Sequence, residues 1–129
     1  MTSDSRPPAA PAAAAALDAG AIVRLRELDP DGRHAVVARV LSTFDTSLRR
    51  ILARLEAQRG TADAAVVAAI AHTLKSSSAS VGALGLAAAC ADIEARLRAG
   101  DAGALAADVE RLLAEGRAAL QAVAAMLRP

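Results

Sequence analysis

Val37, Leu41, Phe44, Leu48, Ile51 and Leu55 recur at alternating intervals of four and three residues. That spacing places six apolar side chains on one stripe of an α-helix and scatters them over both faces of a strand. A stripe five turns long cannot stay in water, so it must meet other stripes of the same kind. Leu86, Cys90, Ile93 and Leu97 repeat the spacing, as do Leu105, Val109, Leu112, Leu120, Val123 and Leu127, with Gly116 filling one seam position. Composition narrows the packing further. The chain of 129 residues is 54% apolar, yet Phe44 is its sole aromatic. A core of Leu, Val, Ile and Ala suits closely packed helices, and Ala, Leu, Arg and Glu are strong helix formers.

Turn signals divide the chain into five helical segments behind a leader. Residues 1–17 are Pro/Ala-rich low complexity and are expected to be disordered, with the folded domain spanning 18–129. Asp18 is placed to cap a short helix carrying Ile22, Val23, Leu25 and Leu28, which stops at Asp29-Pro30-Asp31-Gly32. A second helix is predicted from about residue 33 to 58, ended by Gly60, with Thr61 capping a third that closes near Gly82. A fourth runs over about 83–98, and Gly100 ends it so that Asp101 caps the fifth. The predicted fold is all-α: an antiparallel up-down four-helix bundle with a short additional N-terminal helix.

Several function classes fall away. Fifteen basic residues against 14 acidic give no electrostatic footprint for nucleic acid, and no aromatic platform exists for stacked bases. The start lacks a basic, Leu-rich signal region, and no uncharged apolar run reaches 18 residues, so no membrane association is expected. The single cysteine, Cys90, fits a reducing compartment, and a cytoplasmic protein is expected. Cys90 lies on an apolar seam and reads as a small buried hydrophobe. His34, beside a turn, reads as a solvated residue. Two distant histidines and one cysteine form no metal site, and none is expected. No Gly-x-Ser-x-Gly elbow and no Gly-rich phosphate loop occurs, so neither a serine hydrolase nor an autonomous kinase is expected.

The chemically unusual stretch is Ala71-His72-Thr73-Leu74-Lys75-Ser76-Ser77-Ser78. On a helical wheel Ile70, Leu74 and Val81 lie about 160° to 200° from His72, so the histidine is expected to face water. Ala65, Ala68, Ala69, Ser76 and Ala79 surround it on its own face, all small, and Lys75 flanks it one turn along. Ser77, about 140° away, is expected toward the core as a packing residue. A largely neutral imidazole beside an ammonium, on a low surface that another protein can approach, is suited to accept a phosphoryl group. On the wheel alone, a solvated helix histidine is the ordinary reading. Arg49, Arg50, Arg54 and Arg59 form a basic stretch on the second helix, ordinarily a solvated face but able to steer an acidic partner.

His72-Thr73-Leu74-Lys75, the small residues after it and Val81-Gly82-Ala83 resemble the motif of histidine-containing phosphotransfer (HPt) domains. The similarity continues through Leu86, Cys90, Ile93-Glu94 and Arg98-Ala99-Gly100-Asp101 and extends over about residues 18–127. The resemblance implies a phosphoryl carrier in a His–Asp phosphorelay. It takes the group from a receiver domain's phosphoaspartate onto Nε2 of a surface histidine and passes it to another receiver. It implies His72 as phosphoacceptor, Lys75 as the phosphate-neutralising cation and Gly82 as the turn that returns the chain. Glu94 is implied near the imidazole, orienting the ring. Ala68, Ala69, Ser76, Ala79 and Glu94 are the expected docking face around the histidine. No cofactor is expected on this chain, Mg²⁺ belonging to the receiver. The expected partners are receiver domains of response regulators or hybrid histidine kinases, met by a monomer. The family usually has glycine where this chain has Ser76. A helical adaptor that binds partners without phosphorylation is the alternative reading, and a chemotaxis-type kinase's phosphoacceptor domain is a related variant.

Overall fold

The computed structural model describes residues 16–128. Its elements are α1 (Ala19–Glu27), α2 (Val36–Glu56), α3 (Ala64–Ser80), α4 (Leu84–Arg98) and α5 (Leu105–Leu127), with no strand among the described residues. The predicted all-α bundle is what forms. α3 packs chiefly on α4 and α2 on α5, while α4 meets α5 and α1 lies against α2. The seams read from the sequence are the core: Leu41, Leu48, Leu55, Leu86, Ile93, Leu112 and Val109 are all essentially buried. Gly116 keeps α2 and α5 close, because a Cβ there would stand 2.5 Å from Leu52 Cδ2.

The helix ends are set by identifiable donors and acceptors. Asp18 caps α1 as expected, its Oδ2 accepting from the Ala21 amide at 3.0 Å. Asp63, rather than Thr61, caps α3, accepting from the amides of Ala65 at 2.9 Å and Val66 at 3.4 Å. The carboxylate reaches the first-turn amides better than the hydroxyl two residues earlier. α2 starts at Val36, later than predicted, because Asp29 folds back over the turn. Its buried carboxylate accepts from the amides of His34 and Val36, holding Ala35 at a left-handed φ of 49°. α5 likewise starts at Leu105 without a side-chain cap, since Asp101 spends its oxygen on the Gly103 amide within the loop.

One sequence boundary shifts toward the N-terminus, and one turn falls where the sequence places it. Leu17 is 8% exposed and belongs to the core, so the folded part includes a residue assigned to the leader. The rest of that expected disordered segment, residues 1–15, lies outside the described residues. Gly82 closes α3 at φ +82°, where its amide donates to Ala79 O and the Ala83 amide to Ser78 O. A side chain there would meet the Asp18 backbone at 2.6 Å, so the turn tolerates only glycine. That tight reversal lays α4 directly along α3 and decides what faces His72.

Candidate functional site

The apolar side of α3 faces inward: Ile70, Leu74 and Val81 are 2%, 1% and 2% exposed. His72 therefore projects to solvent, with 65% of its side chain exposed. The turn at Gly82 brings Glu94 of α4 alongside it, 22 residues later in the chain. Glu94 Oε2 lies 2.8 Å from His72 Nδ1, and Lys75 Nζ donates to Oε1 at 2.8 Å. Arg98, one turn further along α4, donates from Nε to the same Oε2, also at 2.8 Å. One carboxylate thus gathers three donors.

Glu94 itself is 6% exposed. The Lys75 ammonium, followed by Arg98 and His72, holds its carboxyl down at about 2, against the opposing pull of burial. An ionised carboxylate only accepts hydrogen bonds, so His72 Nδ1 must carry the proton in this contact. The neutral ring then has its lone pair on Nε2. Tautomer and ring orientation are fixed from behind, and the nitrogen that carries the lone pair is the one left unbound by Glu94. Lys75 and Arg98 make the site locally cationic, hospitable to an anion and unfavourable for a divalent cation.

The structure divides the expected docking face. Ala69, Ser76 and Ala79 are exposed around His72, but Ala68 is buried at 7%. α4 lies closer to that flank of α3 than a wheel of one isolated helix can express. Glu94 is buried too, so it supports the ring and offers little contact surface. Ser77 corrects the reading in the other direction. It is exposed, its hydroxyl donating back to Leu74 O at 3.3 Å, whereas Ser78 is the serine packed inside. Ser77 faces a groove of about 640 Å³ between α2 and α3, walled by Val36, Val40 and Phe44 on one side and Leu74 and Val81 on the other. Sequence reasoning missed this groove because Phe44, Leu74 and Val81 read as core residues that four ideal helices would have closed over, while Val36 and Val40 lie beside the seam of α2.

The remaining candidates behave as packing or solvated residues. Cys90 is fully buried and burial pushes its thiol up to about 12, so it is no nucleophile. The His34 side chain is exposed. Arg49 pairs with Asp45, and Arg59 forms a two-bond contact to Glu110 on α5, so half of the basic stretch is internally paired. Arg98 was missed as a site residue, although its i,i+4 spacing from Glu94 was available. No helix is long and apolar enough to cross a membrane among the described residues.

Comparison with known proteins agrees with this geometry. The model of the Hpt domain family matches residues 39–127, from the first turn of α2 to the end of α5. No curated protein and no solved structure gives a match. With well over half of the chain matched, and with an exposed histidine supported by a lysine and a carboxylate on the paired helices, the protein belongs to the Hpt domain family, the phosphotransfer carriers of His–Asp phosphorelays.

Proposed function

We propose that His72 Nε2 accepts a phosphoryl group from the phosphoaspartate of a receiver domain and passes it to a second receiver. The observation that carries this reading is the Glu94–His72 contact, 2.8 Å at Nδ1 behind a ring that is 65% exposed. The Nε2 lone pair attacks phosphorus, the bond from phosphorus to the aspartate oxygen breaks, and the carboxylate leaves with the electron pair. No proton needs to move, because Nδ1–H stays on Glu94 throughout. Lys75, itself 42% exposed, lies one turn from the ring and offsets the negative charge carried on the arriving phosphoryl oxygens. The Mg²⁺ that assists such transfers is expected on the receiver.

The docking surface we propose is the exposed face of α3 around Ala69, Ser76 and Ala79, extended by the α2–α3 groove. The groove is mainly apolar and adjoins the serines that follow His72, so an aliphatic ridge of a receiver can seat there while its acidic site meets the ring. A monomer leaves this face free. The test is incubation with a phosphorylated receiver. Acid-labile, alkali-stable label should appear on the parent and be absent from His72→Gln. Binding without label transfer would favour the adaptor reading.

A further inference from the structure

We propose that the Ser76 hydroxyl is a phosphoryl-binding group, donating a hydrogen bond to the phosphoryl carried on His72 Nε2 and so prolonging the phosphohistidine. The inference rests on the phosphocarrier reading above and concerns a position where the family usually has glycine, which has no hydroxyl to offer. The ring has two flanks. On one, α3 packs against α4: Ala68, Ala71 and Ser78 are buried there, and Lys75 Nζ reaches Glu94 Oε1 at 2.8 Å. Glu94 Oε2 draws His72 Nδ1 to that flank, also at 2.8 Å. The two nitrogens of an imidazole direct their N–H and lone pair to opposite sides of the ring. Nε2 is therefore turned to the other flank, toward the α2–α3 groove that Ser77 and Ser80 line.

Ser76 stands on that second flank. It lies about 40° round α3 from His72 on the groove side, whereas Lys75 lies about 60° round on the α4 side. It is one turn C-terminal to the ring, and helix side chains lean toward the N-terminus, so its Oγ leans back toward His72. Ala69, the exposed neighbour on the same flank, has no polar side-chain atom, and Thr73 lies about 100° away. The adjacent hydroxyls are committed: Ser77 Oγ donates to Leu74 O at 3.3 Å and Ser80 Oγ to Ser76 O at 3.0 Å. Ser76 is exposed, and its own Oγ has no hydrogen-bond partner among the described residues. A hydroxyl rotates to suit its partner, so Ser76 can donate to a phosphoryl oxygen without displacing the helix. It does not attack phosphorus, because displacement needs the nucleophile opposite the departing nitrogen and Ser76 lies beside the ring. No covalent bond forms or breaks at Ser76, and its proton stays on Oγ. The phosphoryl oxygens carry more charge in the phosphohistidine than in the metaphosphate-like state through which the group leaves. A donor to them therefore holds the bound form more strongly.

The experiment labels the full chain with phosphoramidate, a small donor that needs no docking, removes the donor and follows decay of the acid-labile label. Ser76→Ala, which removes only the hydroxyl oxygen, should shorten the phosphohistidine half-life about threefold, the size expected of one solvent-exposed hydrogen bond. Ser76→Thr, which restores a hydroxyl, should return the half-life close to the parental value. Ser80→Ala, at a hydroxyl committed to the helix, should leave it unchanged. Parental decay in Ser76→Ala would overturn the proposal. So would decay in Ser76→Thr as fast as in Ser76→Ala, because the hydroxyl would then not be the group responsible. Equal shortening in Ser80→Ala would overturn it as well, since position 76 would then hold no special place. A parent that takes acid-labile label from neither phosphoramidate nor a phosphorylated receiver would instead overturn the phosphocarrier reading, and this inference with it.

Discussion

The bundle buries two carboxylates at neighbouring helix interfaces, Glu94 of α4 at 6% exposure and Asp108 of α5 at 3%. Asp108 faces one arginine: Arg96 Nη1 at 3.3 Å and Nη2 closer still, in a two-pronged contact. Arg96 is mostly covered and is tied again to Asp92. Every group in that cluster already has its opposite charge, and none is a nucleophile. Glu94 instead collects a histidine, a lysine and an arginine whose side chains are 65%, 42% and 59% exposed. Burial and pairing are common to both. What separates them is that the donors on Glu94 stand in solvent and are free to serve a second anion. A buried ion pair is therefore weak evidence of a site, and an over-supplied carboxylate beneath an exposed imidazole is strong evidence.

The largest expected contrast is between His72 and Asp108. His72→Gln should lose all acid-labile label while its unfolding free energy stays within about 0.5 kcal/mol of the parent, since an exposed side chain is removed. Alkali-stable label persisting in the variant, measured after receiver incubation, would break the assignment of the nucleophile. Next comes Ser76→Arg. Ser76 lies one turn from His72, about 5–6 Å away at Cβ, where a receiver must pass. Transfer from a receiver should fall about a hundredfold, while phosphoramidate should still label the protein. Equal losses with both donors would place the effect on the ring rather than on docking.

Asp108→Asn should behave in the opposite way. It leaves Arg96 without its buried partner, and the thermal midpoint should drop by about 5 °C. Labelling by phosphoramidate at a temperature where the variant is folded should match the parent. Lost labelling in a folded variant would mean that the two clusters, both carried by α4, are coupled.

How far the sequence spoke differs between these features. The seams of α2, α4 and α5 were legible because burial imposes a three-four spacing that survives any detail of packing. The outward direction of His72 followed from Ile70, Leu74 and Val81 for the same reason. Helix starts were read less well, since Asp29 and Asp63 act through turns whose geometry the residue order alone does not fix. Ala68 and Ser77 were misplaced because a wheel treats α3 in isolation. The close approach of α4 covers one flank, and the looser α2 contact uncovers the other. Arg98 needed the interhelical distance before its i,i+4 relation to Glu94 meant anything for His72.

The smallest expected effect is in acid, and it sharpens the same comparison. Glu94's carboxyl is held at about 2, below its ordinary 4.5, chiefly by the Lys75 ammonium and then by Arg98 and His72. A depressed carboxylate means that between those two values the unfolded chain takes up a proton the folded chain refuses. Its contribution to stability is therefore complete above 4.5 and is lost as pH falls through about 2. Asp92 and Glu110 are lowered too, by Arg111 and Arg59 respectively, so the parent loses stability in acid for more than one reason. Glu94→Gln removes one of these contributions and leaves the others in place. Thermal midpoints measured from pH 6 to pH 2 should fall for both proteins, but less steeply for the variant, so that the curves converge at the acid end. Parallel curves would show that Glu94 is not held ionised by its three donors. The fixed Nδ1 proton on His72, on which the choice of Nε2 depends, would then lose its support.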